Sequence, residues 1–342
     1  MQTFRRTLLF IVLLLIQINI YATETLIVEP DMGRAPLLDA INQAQVNVDV
    51  VMYGLTDESF THALINAQSK HKNVRILLQH YPYLATDENA KAITELQAAN
   101  MQLRWPDSKF KLTHQKTFLI DGQNALVLTF NLTHSSFTKE RNFGLLISND
   151  PLVGKIQQVF NADWEHATQN VQDPDLVYSP DNSREQILAL IRQAHTSIKI
   201  YAEGLSDYEI VGALAKAAES GIKVFLLSST FHDKKPGKQY DYLEQAGANI
   251  HFSKAYVIHA KVMIIDDKVA MLGSINFTKQ SINSNRELSV IVHDPKIINQ
   301  LNGYYLNDWH DAKSLAKNYK LPPKQTVKLL KYWLHQSRHY LN

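Results

Sequence analysis

One stretch of this chain returns, 150 residues later, as a second version of itself. The segment from Pro30, PDMGRAPLLDAINQAQVNVDVVMYGLTDESFTHAL, aligns without a gap on the segment from Pro180, PDNSREQILALIRQAHTSIKIYAEGLSDYEIVGAL. Pro30/Pro180, Asp31/Asp181, Arg34/Arg184, Gln43/Gln193, Ala44/Ala194, Gly54/Gly204, Leu55/Leu205 and Asp57/Asp207 are identical. Two unrelated amphipathic helices would share apolar positions, but not Pro-Asp, Gly-Leu and Asp as well. An internal duplication of this size restricts the fold to two like lobes.

Each copy opens with apolar residues at helical spacing: Leu37, Leu38, Ile41 and Ala44, or Ile187, Leu188, Ile191 and Ala194. A β-rich run follows (46–53; 198–201), then a Gly-Leu-x-Asp turn and a second helix. NVRILLQ and IKVFLLS are apolar on both faces, as strands between helix layers are. A third helix (89–99; 239–246) leads to MQLRW and ANIHFS. This alternation predicts an α/β fold of two lobes related by a pseudo-twofold axis. Each lobe is expected to be a mostly parallel mixed sheet flanked by helices, with the active site at the lobe interface. Both copies end alike, at Trp164 and Trp309, which read as core aromatics.

The predicted organisation is a signal peptide at 1–22, lobe 1 at 23–168, a polar linker at 169–174 and lobe 2 at 175–342. Arg5 and Arg6, the apolar run Leu8 to Ile16 and a more polar stretch to Ala22 have the order of a secretory signal. That run is short for a membrane span, so export to the periplasm or beyond is the expectation. The chain has no cysteine, which removes disulfides and thiolate nucleophiles. Its 35 Lys+Arg against 33 Asp+Glu argue against a protein that holds nucleic acid by bulk charge.

HQKTFLID at 114–121 and HAKVMIID at 259–266 share the spacing His-x-Lys-x4-Asp. One such match arises by accident roughly once in 8,000 positions and is a weak signal. Two, at matching places in a duplicated fold and each followed by a strand ending in Asn131 or Asn276, are a strong one. Alternation puts His114, Lys116, Phe118 and Ile120 on one strand face, and His259, Lys261, Met263 and Ile265 on another. The residue types suit a phosphodiester, an anion that must be neutralised before it can be attacked. Lys116 and Lys261 offer charge, and Asn131 and Asn276 offer neutral donors. One imidazole can attack while its twin donates a proton. No metal or cofactor is called for, and no carboxylate cluster for a two-metal site is evident.

These paired motifs, with GSxN at 273–276 and NRE at 285–287, resemble the phospholipase D superfamily over essentially all of the mature chain. The resemblance implies that His114 and His259 are nucleophile and general acid, with His114 the nucleophile, and that Lys116 and Lys261 bind phosphate. It makes Asn131 and Asn276 phosphate ligands, Ser274 (and Thr129 in the first half) supporting hydroxyls, and Asp121 and Asp266 groups that complete the motif by fixing local structure. Two departures stand out. Leu128-Thr129-Phe130-Asn131 replaces the Gly-Ser-x-Asn of the second copy, and Asn142 stands where the second copy has Glu287. A glutamate there holds the opposite histidine, so losing one is expected to make the site asymmetric.

His134, His166, His195, His232, His293 and His310 have no partner spacing and read as surface or packing residues. The basic loop HDKKPGK (232–238) and its counterpart YPYLATDEN (81–89) read as solvated loops, with a place at the rim of the cleft as the alternative. The tail 324–342 reads as an amphipathic basic helix that packs on lobe 2, with membrane-surface docking as the alternative. The leading expectation is a monomeric phospholipase D that releases phosphatidic acid at a phospholipid surface through a phosphohistidine. An endonuclease acting on nucleic acid and a cardiolipin synthase-like phosphatidyltransferase are the alternatives.

Overall fold

A computed structural model describes residues 22–82, 87–169, 173–229 and 237–314. The expected signal peptide up to residue 21, half of the linker (170–172), most of the basic loop and the C-terminal helix lie outside the described residues.

Lobe 1 runs β1 (Thr23–Glu29), α1 (Ala35–Gln43), β2 (Asn47–Met52), α2 (Glu58–Ser69), β3 (Asn73–Leu78), α3 (Ala90–Ala98) and β4 (Gln102–Arg104). It continues through β5 (Thr117–Ile120), β6 (Asn124–Leu128), β7 (Glu140–Ser148) and α4 (Pro151–Trp164). Lobe 2 repeats this order with β8 (Leu176–Ser179), α5 (Ser183–Gln193), β9 (Ser197–Ala202), α6 (Tyr208–Glu219), β10 (Lys223–Ser229), α7 (Lys238–Gln245) and β11 (Asn249–Ser253). Then come β12 (Val257–Ile258), β13 (Lys261–Ile265), β14 (Val269–Gly273), α8 (Lys279–Asn283), β15 (Glu287–Val292) and α9 (Pro295–Asp311).

The strand orders match: β1-β7-β6-β5-β2-β3-β4 in one lobe and β8-β15-β14-β13-β9-β10-β11 in the other. Both sheets are mixed, but their parallel part is smaller than expected. Along these orders it is confined to β2-β3-β4 and β9-β10-β11, with β12 adding a short parallel pair to β7 from the side. The remaining pairs within each order are antiparallel. The reason lies in two three-residue turns, 121–123 and 266–268, which join β5 to β6 and β13 to β14. A connection that short can only make a hairpin; a parallel pair needs a crossover.

The matched residues of the duplication hold equivalent joints. Asp57 caps α2 and accepts from Arg34 Nε at 2.6 Å. Asp207 caps α6 and takes Arg184 through both oxygens at 2.8 and 3.0 Å. Each pair ties the first helix of a lobe to its second. Outer cores form between helices and sheet, around Leu37, Ile41 and Phe118 in lobe 1 and around Ile187, Ile191 and Met263 in lobe 2. A third core is shared. Leu119 and Val127 of lobe 1 meet Val262 and Leu272 of lobe 2, with Phe160 and Trp164 from α4 and Tyr305 from α9. Trp164 is buried there and Trp309 packs at its margin. The interface is therefore continuous apolar packing, which fixes the lobes against each other.

Asp207 is fully buried and supplies cap and ion pair together. Asp207→Ala is expected to lower stability by about 2–3 kcal/mol, read from the urea midpoint. Asp207→Asn, which keeps an acceptor for the helix N–H groups, recovers part of this. Equal losses in the two variants would show that the cap contributes nothing.

Candidate active site at the lobe interface

The histidines do not sit on the strands, as alternation had placed them. The ladder between β5 and β2 ends at Thr117, opposite Val51, and residues 113–115 leave the sheet to pair with the other lobe. His114 N and Gln115 N donate to the Arg286 carbonyl at 2.9 and 3.2 Å, and Arg286 N donates to the Leu112 carbonyl at 2.8 Å. Lobe 2 does the same in return. Ala260 N and His259 N donate to the Arg141 carbonyl at 3.0 and 3.3 Å, and β12 pairs in parallel with the start of β7. Each histidine is thus delivered by one lobe and held by the backbone of the other.

The rings are held across the interface too. His114 Nδ1–H donates to Glu287 Oε2 at 3.0 Å. Glu287 is fully buried and its other oxygen accepts from Ser281 Oγ and Asn285 Nδ2. His259 Nδ1–H donates to Asn142 Oδ1 at 3.0 Å. The amide orientation is set by Glu140, which can only accept and takes Asn142 Nδ2 at 3.0 Å. Thr129 Oγ1 also donates to Asn142 Oδ1, at 2.9 Å. With both Nδ1 atoms committed, each neutral ring keeps its lone pair on Nε2.

The carboxylate expected to be missing from the first half has moved. Lobe 2 reads Asn285-Arg286-Glu287 and lobe 1 reads Glu140-Arg141-Asn142, the same three residues in reverse order. Glu140 Oε2 lies 3.7 Å from His259 Nδ1, behind the amide that touches the ring. The central arginines are buried and tie the lobes together. Arg141 grips Asp308 with Nε and Nη2 and reaches Asp31 at 3.0 Å; Arg286 grips Asp163 the same way and reaches Asp181 at 2.7 Å.

The lysines line the same cluster and are almost fully buried. Lys116 Nζ donates to the His114 carbonyl at 2.6 Å and lies 5.3 Å from the centre of the Tyr53 ring, which meets His114 edge-on. Lys261 Nζ donates to the Thr129 carbonyl of the other lobe at 3.1 Å. It also pairs with Glu203 Oε2 at 2.5 Å. Asn276 Nδ2 donates to the same Glu203 oxygen at 3.0 Å, and Asn276 Oδ1 accepts from Gly204 N. Asn131 keeps a buried Oδ1 with no hydrogen-bond partner. The matched glycines explain themselves here: a Cβ on Gly54 would lie 3.2 Å from Asn131, and one on Gly204 would lie 2.9 Å from Thr278.

Two of the expected residues lie elsewhere. Asp121 and Asp266 stand at the far ends of β5 and β13, roughly 16 Å of strand from the lysines. Asp121 accepts from the backbone N–H groups of Gln45, Val46 and Asn47, and Asp266 from those of His195, Thr196 and Ser197. Burial works against their charge, but these donors outweigh it, holding Asp266 down to about 2. They fix strand entry and touch no reacting group. Ser274 Oγ accepts from Leu288 N, and Thr129 orients Asn142. Both hydroxyls brace the residues that hold the imidazoles. Glu287, grouped with the ligands by its motif, likewise serves His114.

Burial lowers both imidazoles, helped by the lysines and opposed by the carboxylates: His114 sits below its usual value and His259 falls to about 4. Burial and Lys261 push Lys116 well below the ordinary lysine range. Burial penalises Glu203 and Glu287, yet the neighbouring histidines and lysines overcome it and keep both carboxylates charged. Two imidazoles and two buried lysines in one cluster form a site for a tetrahedral anion. Such neighbours do not suit a metal cation. Among the described residues, the grouping with metal-ligand spacing is Glu58, His62 and Glu95 on α2 and α3, where Lys91 already pairs with the two glutamates.

The family described as "Cardiolipin synthase, PLD-like domain" matches both halves, over residues 37–164 and 187–309. The chain belongs to the phospholipase D superfamily. It is 25% identical to "Cardiolipin synthase 2" of Bacillus anthracis over 86% of this chain and 66% of that protein. It is also 25% identical to the "Cardiolipin synthase" of Geobacillus thermodenitrificans, over 82% and 65%. The chain thus spans just under two thirds of the length of these curated relatives. A crystal structure of phosphatidylserine synthase from Haemophilus influenzae superposes with a TM-score of 0.68 at 12% identity, covering 93% of this chain and 94% of that one. This superfamily enzyme shares the two-lobe fold with it. Among the described residues, no helix is long and apolar enough to cross a membrane.

Spacing could not find Glu203, because its partner in the duplication is Tyr53 and no motif includes it. Glu140 carried a signal, the reversed tripeptide, visible only when the second copy is read backwards. Asn142→Asp would put a charge directly on His259 Nδ1, and its imidazole pKa is expected to rise from about 4 by at least a unit. Imidazole 15N titration by NMR reads this, and an unmoved titration would dissociate Asn142 from that ring.

Proposed function

We propose that this protein is a phosphatidyltransferase: it moves a phosphatidyl group from one alcohol to another through a phosphohistidine, without a metal. One observation carries the reading. Two imidazoles, each anchored at Nδ1 by the opposite lobe, share one cluster with two buried lysines. His114 Nε2 attacks phosphorus, the bond to the leaving alcohol breaks, and His259 Nε2–H gives that alkoxide its proton. The acceptor hydroxyl then attacks, His259 takes its proton, and the P–N bond breaks. Lys116 and Lys261 neutralise the phosphoryl oxygens throughout.

The asymmetry favours this assignment of roles. A phosphorylated imidazole is cationic, and Glu287 at His114 Nδ1 places a full negative charge against it. His259 faces a neutral amide, which does less to retain a proton, so it is the better acid. The bound phosphate anion raises its proton affinity enough to load it. The names of the relatives support transfer above the hydrolysis that the sequence reading put first. The difference is only whether an alcohol or water takes the second step.

The test is purified protein with phosphatidylglycerol vesicles and a chelator, with products read by mass spectrometry. Cardiolipin and glycerol are expected, and His114→Ala and His259→Ala should each cost at least about a thousandfold. Phosphatidic acid alone would return the protein to hydrolysis; cleavage of nucleic acid alone would remove lipid chemistry altogether. A chelator-sensitive rate would contradict the metal-free mechanism. Export belongs to the same proposal, resting on Arg5, Arg6 and the apolar run from Leu8. The N-terminal sequence of protein recovered from the cell envelope tests it, and a start at Met1 counts against cleavage.

A further inference from the structure

The two halves of the site differ sharply at one position. Beside Gly54, lobe 1 has Tyr53, whose ring contacts His114 and Lys116 without charge. Beside Gly204, lobe 2 has Glu203. Its Oε2 accepts from Lys261 Nζ at 2.5 Å and Asn276 Nδ2 at 3.0 Å, and its Oε1 lies 3.5 Å from His259 Nε2. These three atoms are the lobe 2 groups that face a phosphoryl oxygen and the leaving alcohol. A carboxylate seated on them occupies half of an anion site. Nothing in the proposed reaction requires a negative charge there.

We infer that Glu203 is a charge filter: with its carboxylate on Lys261 and Asn276, the site accepts phosphodiester monoanions and rejects phosphomonoester dianions. This deepens the transfer reading and rests on it for the place where phosphate binds. A bound anion favours the ammonium of Lys116 against the burial that lowers it, so the charges facing the occupied site are the ammoniums of Lys116 and Lys261 against the carboxylates of Glu140, Glu203 and Glu287. A diester brings one negative charge, and a proton taken up on His259 offsets it. A monoester brings a second charge, for which the cluster has no cation left. In a buried site an unmatched charge is poorly screened, so repulsion of this kind discriminates strongly. Tyr53 could not do this, and a symmetric site with a tyrosine in each half would hold monoesters as firmly as diesters. The filter has a use. Stray water attack on the phosphohistidine releases a phosphomonoester, and cellular phosphate is a dianion of the same shape; neither would block the site.

Dimethyl phosphate and methyl phosphate at pH 8 test the idea, since they share a phosphoryl group and differ by about one charge. Binding is read directly by 31P line broadening and again by competition against turnover of a chromogenic diester. The wild-type protein is expected to bind dimethyl phosphate at least tenfold better. Glu203→Gln keeps an oxygen acceptor for Lys261 and Asn276 and removes the charge. It should cut the preference below threefold, chiefly by tightening methyl phosphate. Equal affinity for the two esters in the wild-type protein overturns the filter without any variant, and so does a preference that survives Glu203→Gln. Because the 31P measurement needs no turnover, discrimination without lipid transfer would sink the transfer reading alone. Binding of neither ester would remove both.

Discussion

Each motif imidazole is gripped by the lobe it does not belong to, and a buried arginine makes that grip rigid. The Arg286 carbonyl accepts from the backbone at His114 and Gln115, while its guanidinium clamps Asp163 and Asp181. Its neighbour Glu287 holds the ring of His114. Arg141 repeats all three connections for His259 with Asp308, Asp31 and Asn142. Backbone, charge and ring orientation are therefore set by one tripeptide in each lobe. A bidentate arginine pair out of water is costly to break from one side, because the remaining charge is stranded. The lobes cannot slide without breaking several such contacts together. This accounts for the retention of Asp31 and Asp181 in both copies: they are the third points of the two clamps.

The reversed tripeptides show how a duplicated site becomes directional at little structural cost. Residues two apart on a strand lie on the same face, so exchanging Glu and Asn between the first and third positions keeps both groups in one patch. What changes is which of them touches the ring. His114 meets a carboxylate and His259 meets an amide backed by one, at 3.0 Å in each case. One imidazole is thereby suited to carry a positive phosphoryl adduct and the other to release a proton. Two identical halves would leave the order of attack undetermined.

The duplication, the lobe count and the paired His and Lys were legible in the sequence because each rests on a local pattern repeated at fixed spacing. The proportion of parallel strands was not. It depended on two three-residue turns inside motifs that had been read for chemistry. Asp121 and Asp266 belonged to the motif by spacing, yet a four- or five-residue strand separates them from Lys116 and Lys261. The groups that tune the histidines were hardest to see. Glu287 is 173 residues from His114 and Asn142 is 117 from His259, so their contacts exist only once two lobes have folded and docked. Glu203 was hidden differently: it sits between the matched Tyr-Ala or Val-Met strand and the matched Gly-Leu turn, at a place where the copies disagree.

Hydrolysis and transfer share every step up to the phosphohistidine, so the choice between them is a competition at His259 Nε2. Both imidazole side chains are only 12% exposed, and the lysines beside them are 1% and 0% exposed. Little bulk water reaches such a site. An acceptor carried on a lipid arrives with its own apolar mass, already oriented by the surface that delivered the donor, and gains the advantage of proximity that water lacks. Glu203 adds to this bias. It acts after the attack: the monoester that water releases keeps a hydroxyl that then ionises next to a carboxylate already holding Lys261, whereas alcohol attack regenerates a diester with no further proton to lose. In the proposed transfer, the phosphate entering and the phosphate leaving therefore carry the same charge.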